Sequence, residues 1–390
     1  FPHAAQFSLR PSMGMGNANF SAAALRLTSS RDGAMSSPTF LLNGRRYEGA
    51  WDENMLAEAV QSYEHEVQIW RELNNSTGQA AVLISLGYID LRRAEWQSGL
   101  SRFSEAQALI DENAEPQRMG QVLCGMAELY NDHGMPEQGL TYYERALDYF
   151  GKSQVSHSRW YATWGLGWTY YLQQKYSEAL DKFQQSLALL KDEELPKALT
   201  REYMGKVYLE TGDYPAALDS LQFALNAYTR AGNPMETARA QALLGSVLER
   251  QGQLGRARRN YLKALEIAER VSDPITAATI YHALGRIELK SGSQQQAEAY
   301  LVHSIEITQK LNRISTSRDL RTAFYGSVHD RYQTYIEFLM TKARTAPGGG
   351  YDVRAFETSE SARARSLAEF FRVTQASLVP GIDSDLAQKE

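Results

Sequence analysis

Cysteine is almost absent from this sequence: Cys124 is the only one among 390 residues. An internal disulfide is therefore excluded, which fits a reducing compartment, and we expect a cytoplasmic protein. Exported proteins can also lack disulfides, and the sequence begins at Phe1 rather than at methionine. An exported protein that has lost a signal peptide therefore stays open as an alternative.

A strong excess of charge and long apolar runs are also absent. The formal net charge is −5, and this mild acidity argues against nucleic acid or an anionic membrane surface as the general partner. No apolar run approaches the ~18–20 residues that a helix needs to cross a bilayer. We therefore expect neither a nucleic-acid partner nor a membrane span.

The motifs of the common enzyme classes are missing as well. The sequence contains no phosphate-binding loop, no HExxH, no CxxC and no pair of carboxylates at a useful spacing. Its seven histidines are scattered without the spacing of metal ligands. Cys124 lies inside a predicted helix, where we interpret it as a small packing residue rather than a nucleophile. We expect no catalytic residue, no metal and no cofactor, and an enzyme acting from the N-terminal segment is the weakest hypothesis.

The sequence does contain a six-fold repeat with a period close to 40 residues. A small marker residue recurs at Gly87, Ala127, Gly167, Gly205, Gly245 and Gly285. A second small residue follows twelve positions later, at Gly99, Gly139, Ala179, Ala217, Ala257 and Ala297. A large apolar residue comes four positions after that, at Phe103, Tyr143, Phe183, Leu221, Tyr261 and Leu301. A regular array of this kind predicts a stacked solenoid, and solenoids mostly bind other molecules.

Each unit is predicted to be a helix–turn–helix. In the fourth unit Leu199–Glu210 has the helical pattern, Gly212 ends the first helix, and Pro215 suits the first turn of the second. The equivalent turn glycines are Gly134, Gly252 and Gly292. Pro116, Pro234 and Pro274 stand near the start of their units, with Asn233 and Asp273 as expected N-caps. Before the first full unit, a helical pattern from about Trp51 predicts the second helix of a degenerate seventh unit.

The repeat resembles the tetratricopeptide repeat over roughly residues 51–310. The run Leu166–Tyr170, followed by Ala179 and Phe183, matches that family's Leu-Gly-x-x-Tyr and Ala-x-x-x-Phe arrangement. The period is longer than the usual ~34 residues, as in the repeats of kinesin light chains and many bacterial regulatory proteins. The resemblance implies an all-α, right-handed superhelix of six to seven repeats. It also implies that the first helices line a concave groove in which a protein or peptide binds.

In the third unit, the positions that such a groove exposes are aromatic. They are Tyr161, Trp164, Trp168 and Tyr171, which fall within about 80° of arc on an ideal helix. Aromatic anchors in a concave setting are typical of binding hot spots. The alternative is that these rings pack on their own neighbours inside a tight superhelix, and neither interpretation is favoured at this point.

In the other units the same positions are charged. Acidic residues stand in the second unit, and the later units supply the cations Lys206, Arg239, Arg250, His282, Arg286 and Lys290. A groove with aromatic rings midway and cations at one end could hold an extended peptide that ends in an acidic group. Solvated polar helix faces are the competing explanation for each of these residues.

The repeat breaks down after about Asn312. Two long helical patterns follow, Ser317–Lys342 and Tyr351–Val373, separated by a glycine-rich linker. The second pattern contains Ala355–Leu367, which with the aromatic helix before it resembles the region that joins tetratricopeptide repeats to a CHAT domain, a caspase-like cysteine peptidase. The histidine and cysteine of that peptidase cannot be carried over, because no His or Cys follows His329.

These patterns divide the chain into three predicted parts. Residues 1–50 form an irregular N-terminal segment that could cap the array, with one short helix or strand expected around Ser21–Leu27. Residues 51–310 form the superhelix, and residues 311–390 form a helical connector.

Two functions fit these three parts. By resemblance, the chain is the sensing and autoregulatory part of a CHAT-type peptidase, which binds an activator or substrate protein and its own peptidase domain. The alternative is a stand-alone peptide sensor or assembly scaffold without a protease.

Overall fold

The computed structural model describes residues 26–28, 39–42, 45–47, 53–92, 95–152, 158–314 and 320–362. A small antiparallel sheet precedes the helices, with strands β1 (Arg26–Thr28), β2 (Thr39–Leu42) and β3 (Arg45–Tyr47) in the order β1-β2-β3. Phe40 of β2 stands opposite Leu27 of β1 and Tyr47 of β3. The sequence predicted only one short element in this segment, so the three-stranded sheet is an addition; residues 21–25 of that prediction lie outside the described residues.

The rest of the described chain is helical. Helix α1 is Glu53–Glu72, and six hairpins follow it. They are α2 (Ser76–Arg92) with α3 (Trp96–Leu109), α4 (Pro116–Asp132) with α5 (Pro136–Lys152), α6 (Arg159–Leu172) with α7 (Tyr176–Ala188), α8 (Glu194–Thr211) with α9 (Tyr214–Arg230), α10 (Pro234–Arg250) with α11 (Leu254–Arg270), and α12 (Pro274–Lys290) with α13 (Gln294–Ile314). Helix α14 (Leu320–Thr345) and helix α15 (351–362) come last. The predicted units 1 to 6 are thus the hairpins α2–α3 to α12–α13.

The hairpins stack in chain order, each packing on the next. The first helix of each hairpin contacts the second helix of its own hairpin and that of the preceding one. First helices also contact one another, α2 with α4, α4 with α6, and so on to α12, whereas the second helices in the described part of the chain make no comparable contact. Because the first helices lie closer together, they line the inner, concave side of the array, as the sequence predicted.

The small marker residues make room for the large apolar residues of the repeat. A Cβ atom added to Gly167 would lie 2.6 Å from Cε1 of Phe183, sixteen residues further on. Gly87 meets Phe103, Gly205 meets Leu221, Gly245 meets Tyr261 and Gly285 meets Leu301 in the same way. The small and large residues of each unit therefore form one contact between the two helices of a hairpin.

Two large residues also reach into the next hairpin. The ring of Phe103 lies against Gly125 as well as against its own marker, and the ring of Tyr143 lies against Gly165. Both glycines stand two positions before a marker residue. Tyr143 belongs to the unit whose marker is Ala127, where a methyl group occupies the space that glycine leaves open elsewhere. These two rings connect the first three units.

The turns follow the predicted signals closely. Gly212 ends α8 with φ +81°, a left-handed conformation that favours glycine, and Gly134, Gly252 and Gly292 also have positive φ. Pro116, Pro234 and Pro274 are the first residues of α4, α10 and α12. The carboxylate of Asp273 accepts a hydrogen bond from the backbone N–H of Thr276 at 3.1 Å, as expected of an N-cap. Asn233 precedes α10 without such a bond.

The last two helices continue the stack. Helix α14 contacts both α13 and α12, as the first helix of a further hairpin would. Hydrogen bonds attach the pair to unit 6, among them His282 Nε2 with Thr334 Oγ1 at 2.9 Å, Arg331 Nη1 to Thr308 Oγ1 at 3.1 Å, Arg331 Nη2 to Thr279 Oγ1 at 2.7 Å, and Arg354 Nη1 to Glu298 Oε1 at 3.0 Å. The sequence period fades near Asn312, but the packing mode persists. The division at residue 310 and the connector role stay predictions.

Among the described helices, none combines the length and the apolar character that crossing a bilayer requires.

Candidate functional site

A stack of aromatic rings occupies the inner side of units 3 and 4. Tyr161, Trp164 and Trp168 follow one another along α6 at helical spacing, with ring centroids 5.6 Å and 5.8 Å apart. Tyr203 of α8 meets Trp164 edge-on at 5.1 Å and Trp168 at 6.5 Å. Such offset and edge-on pairs stabilise each other beyond the area that they bury. The rings therefore form one preorganised unit across two repeats.

Exposure separates the rings of this stack. Tyr161 and Trp164 keep only 7% and 5% of their surface exposed, so these two pack on their own neighbours, which was the alternative interpretation. Trp168 and Tyr171 are half-buried, so both residues keep part of their surface exposed. Half-buried Tyr203 joins them, although the sequence did not single it out. We use "aromatic platform" for Trp168, Tyr171 and Tyr203.

One signal could have pointed to Tyr203. It stands two positions before its marker, where units 2 and 3 carry Gly125 and Gly165. Those glycines leave space for Phe103 and Tyr143, each from the preceding unit. Tyr203 occupies that space itself, and its ring centroid lies 6.1 Å from that of Phe183. The other units carry Ser85, Leu243 and Ala283 at this position, so a comparison of the six units shows Tyr203 as its one aromatic residue.

Some buried polar atoms of this region have no hydrogen-bond partner within the described residues. Nε1 of Trp164 and Oη of Tyr143 are among them. The ring of Tyr143 passes Gly165 of α6, and burial and then Glu128 raise the pKa of its hydroxyl well above the usual value. Buried polar atoms are nearly always paired in folded proteins, so these two are exceptions.

The cations predicted for the groove are partnered with carboxylates. Lys206 Nζ lies 2.7 Å from Glu202 Oε1 and 3.9 Å from the ring centroid of Tyr203. Glu202 also accepts a hydrogen bond from the hydroxyl of Tyr228 at 3.0 Å. Burial works against the charge of Glu202, but Lys206 and Arg239 outweigh it and lower its pKa. The Glu202 carboxylate therefore stays ionised inside the groove wall.

The cations of units 5 and 6 are held in the same way. Arg286 and Lys290 both bind Glu249, at 3.0 Å and 3.1 Å. The remaining pairs are Arg239 with Glu236 at 2.8 Å and Arg250 with Glu210 at 3.7 Å. These carboxylates neutralise the cations that were predicted from the sequence to bind the acidic end of a peptide. An acidic ligand would have to displace them.

His282 is a further predicted groove residue that the structure buries, after Tyr161 and Trp164, and this contradicts the prediction. Its exposed fraction is 6%, because α14 covers it and Thr334 bonds to its ring. Burial, followed by Arg286 and Arg331, lowers its pKa to about 3, so it is neutral at ordinary pH. The sequence could not show this, because Thr334 is 52 residues away and outside the regular period.

Cys124 is buried in α4, and burial, then Glu128, raises the pKa of its thiol well above the usual value. A buried thiol of this kind is a packing residue rather than a nucleophile, as expected. In the part of the chain that the structure describes, no three His, Cys, Asp or Glu side chains are grouped so that they could hold a metal ion.

Antiparallel hairpins with paired small and large residues and a groove lined by first helices define a tetratricopeptide solenoid. The tetratricopeptide repeat model matches residues 118–192, 196–270 and 236–310. The chain thus contains tetratricopeptide repeats over these residues, and its predicted all-α solenoid fold is confirmed. The match covers repeats only.

Known proteins share this repeat at low identity. The human "SH3 domain and tetratricopeptide repeat-containing protein 2" is 25% identical over 203 residues, which are 52% of this chain and 13% of the relative. The chain thus spans about an eighth of that relative's length. The apo form of RapI superposes with a TM-score of 0.54 at 17% identity, covering 73% of this chain and 99% of RapI.

A second solved structure matches over more of the chain. A signal transduction ATPase with numerous domains and a tetratricopeptide repeat sensor, from Pyrococcus horikoshii, gives a TM-score of 0.54 at 15% identity. The aligned part covers 83% of this chain and 46% of the Pyrococcus horikoshii chain. At such identities the likeness establishes the fold alone.

Proposed function

We propose that this chain is a protein-binding scaffold that holds an extended segment of a partner protein across the aromatic platform. The observation that carries the proposal is the half-buried state of Trp168, Tyr171 and Tyr203 on the inner helices α6 and α8. Trp and Tyr are enriched in binding hot spots because they bury a large area at little cost in side-chain entropy. Tetratricopeptide repeats bind protein or peptide partners, which is the general class of activity.

The platform is rigid before any ligand arrives. The ring of Trp168 rests on that of Trp164, which is buried and fixed by Tyr161 and Tyr203. A preorganised surface loses little conformational entropy on binding, so more of the contact energy contributes to affinity.

Substitution of Trp168 tests the proposal. We expect Trp168→Ala to weaken the binding of peptides selected from a random display library on the wild-type chain by about 2 kcal/mol, or roughly thirty-fold in Kd. Fluorescence anisotropy with labelled selected peptides measures the change. Trp164→Ala is a poorer probe, because removing a buried Trp costs about 3–5 kcal/mol of folding stability.

Phe223→Ala is the matched control. Phe223 is a half-buried aromatic residue on α9, a second helix, where it lies under Arg201 at 5.4 Å. It should leave peptide affinity unchanged. Equal affinity of the Trp168 variant and the wild-type chain for every selected peptide would remove the platform as the binding site.

We further propose that the scaffold senses a partner on behalf of a CHAT-type peptidase. The resemblance of Ala355–Leu367 to the known connector supports this, although residues 363–367 lie outside the described residues. The direct packing of α14 on α12 also supports it, because a change in the array would reach the connector through that contact. A stand-alone scaffold is the alternative and fits the repeats equally well.

The coding sequence downstream of Glu390 separates the two versions. A His-Gly followed by a cysteine in a β-rich stretch would support the peptidase, and a stop codon shortly after Glu390 would refute it. Neither result affects peptide binding at the platform.

A further inference from the structure

A cleft of about 570 Å³ lies between the second helices of units 4 and 5. Its walls come from α9 and α11 and its floor from α10, through residues that include Leu225, Thr229, Gln241, Lys263 and Ile267. Because the first helices line the groove, a cleft between second helices opens on the outer side of the array. Its volume falls within the ~300–1,000 Å³ of typical ligand sites. The cleft is therefore separate from the aromatic platform and large enough to take a side chain.

The residue on the floor of the cleft differs from its equivalents in the other units. Gln241 stands four positions before its marker residue. The equivalent residues are Leu83, Leu123, Thr163, Arg201 and Tyr281. The first three are buried, and Tyr281 is the one aromatic residue among the six. Gln241 itself bonds to Asn260 of its own hairpin, so it does not fill the space between α9 and α11.

Unit 6 shows how a tyrosine ring occupies this position. Tyr281 stands 40 residues after Gln241 and reaches both neighbouring second helices. Its ring centroid lies 5.3 Å from that of His303 on α13, and its hydroxyl donates a hydrogen bond to Glu269 Oε1 on α11 at 2.5 Å. Burial and then Glu269 raise the pKa of Tyr281 to about 12, so the phenol stays neutral. A neutral phenol ring thus bridges α11 and α13 where the preceding pair of second helices leaves a cleft.

The cleft offers a counterpart for each contact of that ring. The residues 40 positions before Glu269 and His303 are Thr229 and Lys263, and both are exposed at the cleft. The Thr229 hydroxyl donates its proton to the carbonyl of Leu225 at 2.7 Å, so its lone pairs can accept a hydrogen bond from a phenol. The ammonium of Lys263 can lie over the face of an aromatic ring. The same phenol geometry is therefore available one unit earlier.

Charge around the cleft favours a neutral ring over an anionic one. Glu266 follows Lys263 by three positions on α11, and in the described part of the chain neither forms an ion pair. Their opposite charges therefore offset each other. Arg230, the other cation of the cleft, is paired with Glu194. No surplus of positive charge among these side chains would attract a phosphate or a carboxylate.

We propose that this cleft binds a tyrosine side chain of a partner protein, in the way that the chain holds its own Tyr281 one unit later. The ring enters between Leu225 and Ile267, its face meets the ammonium of Lys263, and its hydroxyl donates to Thr229. The rim of the cleft is exposed, so the partner's backbone stays outside while the ring enters. Tyrosine is among the residues that dominate protein interfaces, because its ring buries a large area and its hydroxyl keeps a polar contact. This inference goes beyond the proposed function, because it adds a contact surface on the outer side of the array.

Capped amino acids test the preference for a phenol. The probes are the N-acetyl amides of tyrosine, phenylalanine, leucine and phosphotyrosine. Binding is followed in the full chain through the δ1-methyl resonance of Ile267, which is assigned by its loss in Ile267→Leu and which the ring current of a bound aromatic probe shifts. We expect the tyrosine probe to bind about threefold more tightly than the phenylalanine probe and about fivefold or more above the leucine and phosphotyrosine probes. The methyl group of Ile89 in unit 1 should not respond.

Reciprocal variants locate the site. Gln241→Tyr supplies the cleft with a ring of its own, as in unit 6, and should abolish the shift of Ile267. Tyr281→Gln should open the equivalent cleft between α11 and α13, so that the tyrosine probe also shifts the methyl group of Ile307, which stands 40 residues after Ile267. Gln184→Tyr, at an exposed position of α7, makes the same substitution as Gln241→Tyr and should alter nothing.

A variant of the rim tests the hydrogen bond without disturbing the core. Thr229 is exposed, so Thr229→Val should fold and keep the shape of the cleft. It should weaken the tyrosine probe about threefold, to the level of the phenylalanine probe, and leave the phenylalanine probe unchanged. This variant decides the question if Gln241→Tyr or Tyr281→Gln does not fold.

Equal affinities for the tyrosine and leucine probes would overturn the inference, as would tyrosine binding that persists in folded Gln241→Tyr. Absence of any shift at Ile267 would overturn it too, and tightest binding of the phosphotyrosine probe would replace the neutral phenol by an anion. The proposed function is judged separately, because selected peptides that depend on Trp168 report on the opposite side of the array.

Discussion

Gly167→Ala adds a single methyl group at the contact between α6 and α7. The new Cβ would lie 2.6 Å from Cε1 and 2.7 Å from Cδ1 of Phe183, distances that real Cβ atoms do not adopt. The Phe183 side chain has no exposed surface and meets Tyr203 on its other side, so its ring cannot move into solvent. Either this ring or the helix axis must shift.

Two opposing effects set the size of the change. Replacing glycine by alanine in a helix favours folding by about 0.5–1 kcal/mol. Overpacking a close-packed core costs about 1–3 kcal/mol. We therefore expect Gly167→Ala to reduce the free energy of unfolding by about 1–2 kcal/mol. Gly255→Ala is the matched control, because an added Cβ there meets nothing within 4 Å and Gly255 lies in the first turn of α11. This control should be neutral or more stable by at most about 1 kcal/mol.

Equilibrium urea unfolding followed by far-UV circular dichroism measures both variants. We expect the midpoint of Gly167→Ala to fall, and that of Gly255→Ala to stay or rise. If Gly167→Ala were as stable as the wild-type chain, the Phe183 ring would adjust without cost. The explanation of the marker column as space for a large side chain would then be wrong.

Two further predictions concern buried charge. Because the pKa of His282 falls from its usual ~6.5 to about 3 on folding, the folded state binds fewer protons, so stability declines as pH falls below about 6.5. His282→Gln should reduce the pH dependence of the free energy of unfolding by up to ~1.4 kcal/mol per pH unit below pH ~6.5, as measured by urea unfolding. An unchanged pH dependence in this variant would contradict the prediction. Glu249→Gln removes the carboxylate of Arg286 and Lys290 and should cost about 1–2 kcal/mol, given that both cations keep much of their surface exposed. A free energy of unfolding for Glu249→Gln equal to that of the wild-type chain, measured by urea unfolding, would contradict this account.

Much of the fold could be predicted from the sequence because the information is local and repeated. The intervals between marker residues, the turn glycine Gly212 and the helix-starting Pro116, Pro234 and Pro274 depend on contacts inside one hairpin. Such contacts recur in every unit, so each unit supports the interpretation of the others. The sheet of β1, β2 and β3 has no such repetition and was not predicted.

The groove was harder to predict because its state depends on neighbouring units. Whether Trp164 is buried is decided by Tyr203, which lies on the next inner helix. Whether Lys290 is available is decided by Glu249, 41 residues earlier. A helical wheel shows which side chains share a face, but it does not show what the following helix places against that face. The platform therefore has fewer exposed rings than the sequence indicated.

The rings that bridge neighbouring units make part of this array interchangeable. Phe103 leans on Gly125 and Tyr143 leans on Gly165, so both junctions use an aromatic ring against a glycine at the same position. A gene rearrangement that removed one 40-residue unit here would set Phe103 against Gly165, a junction of the same kind. The same loss one unit later would set Tyr143 against Tyr203 and crowd two rings together. Gain or loss of repeats by unequal exchange is thus sterically open in the first three units and closed at the platform.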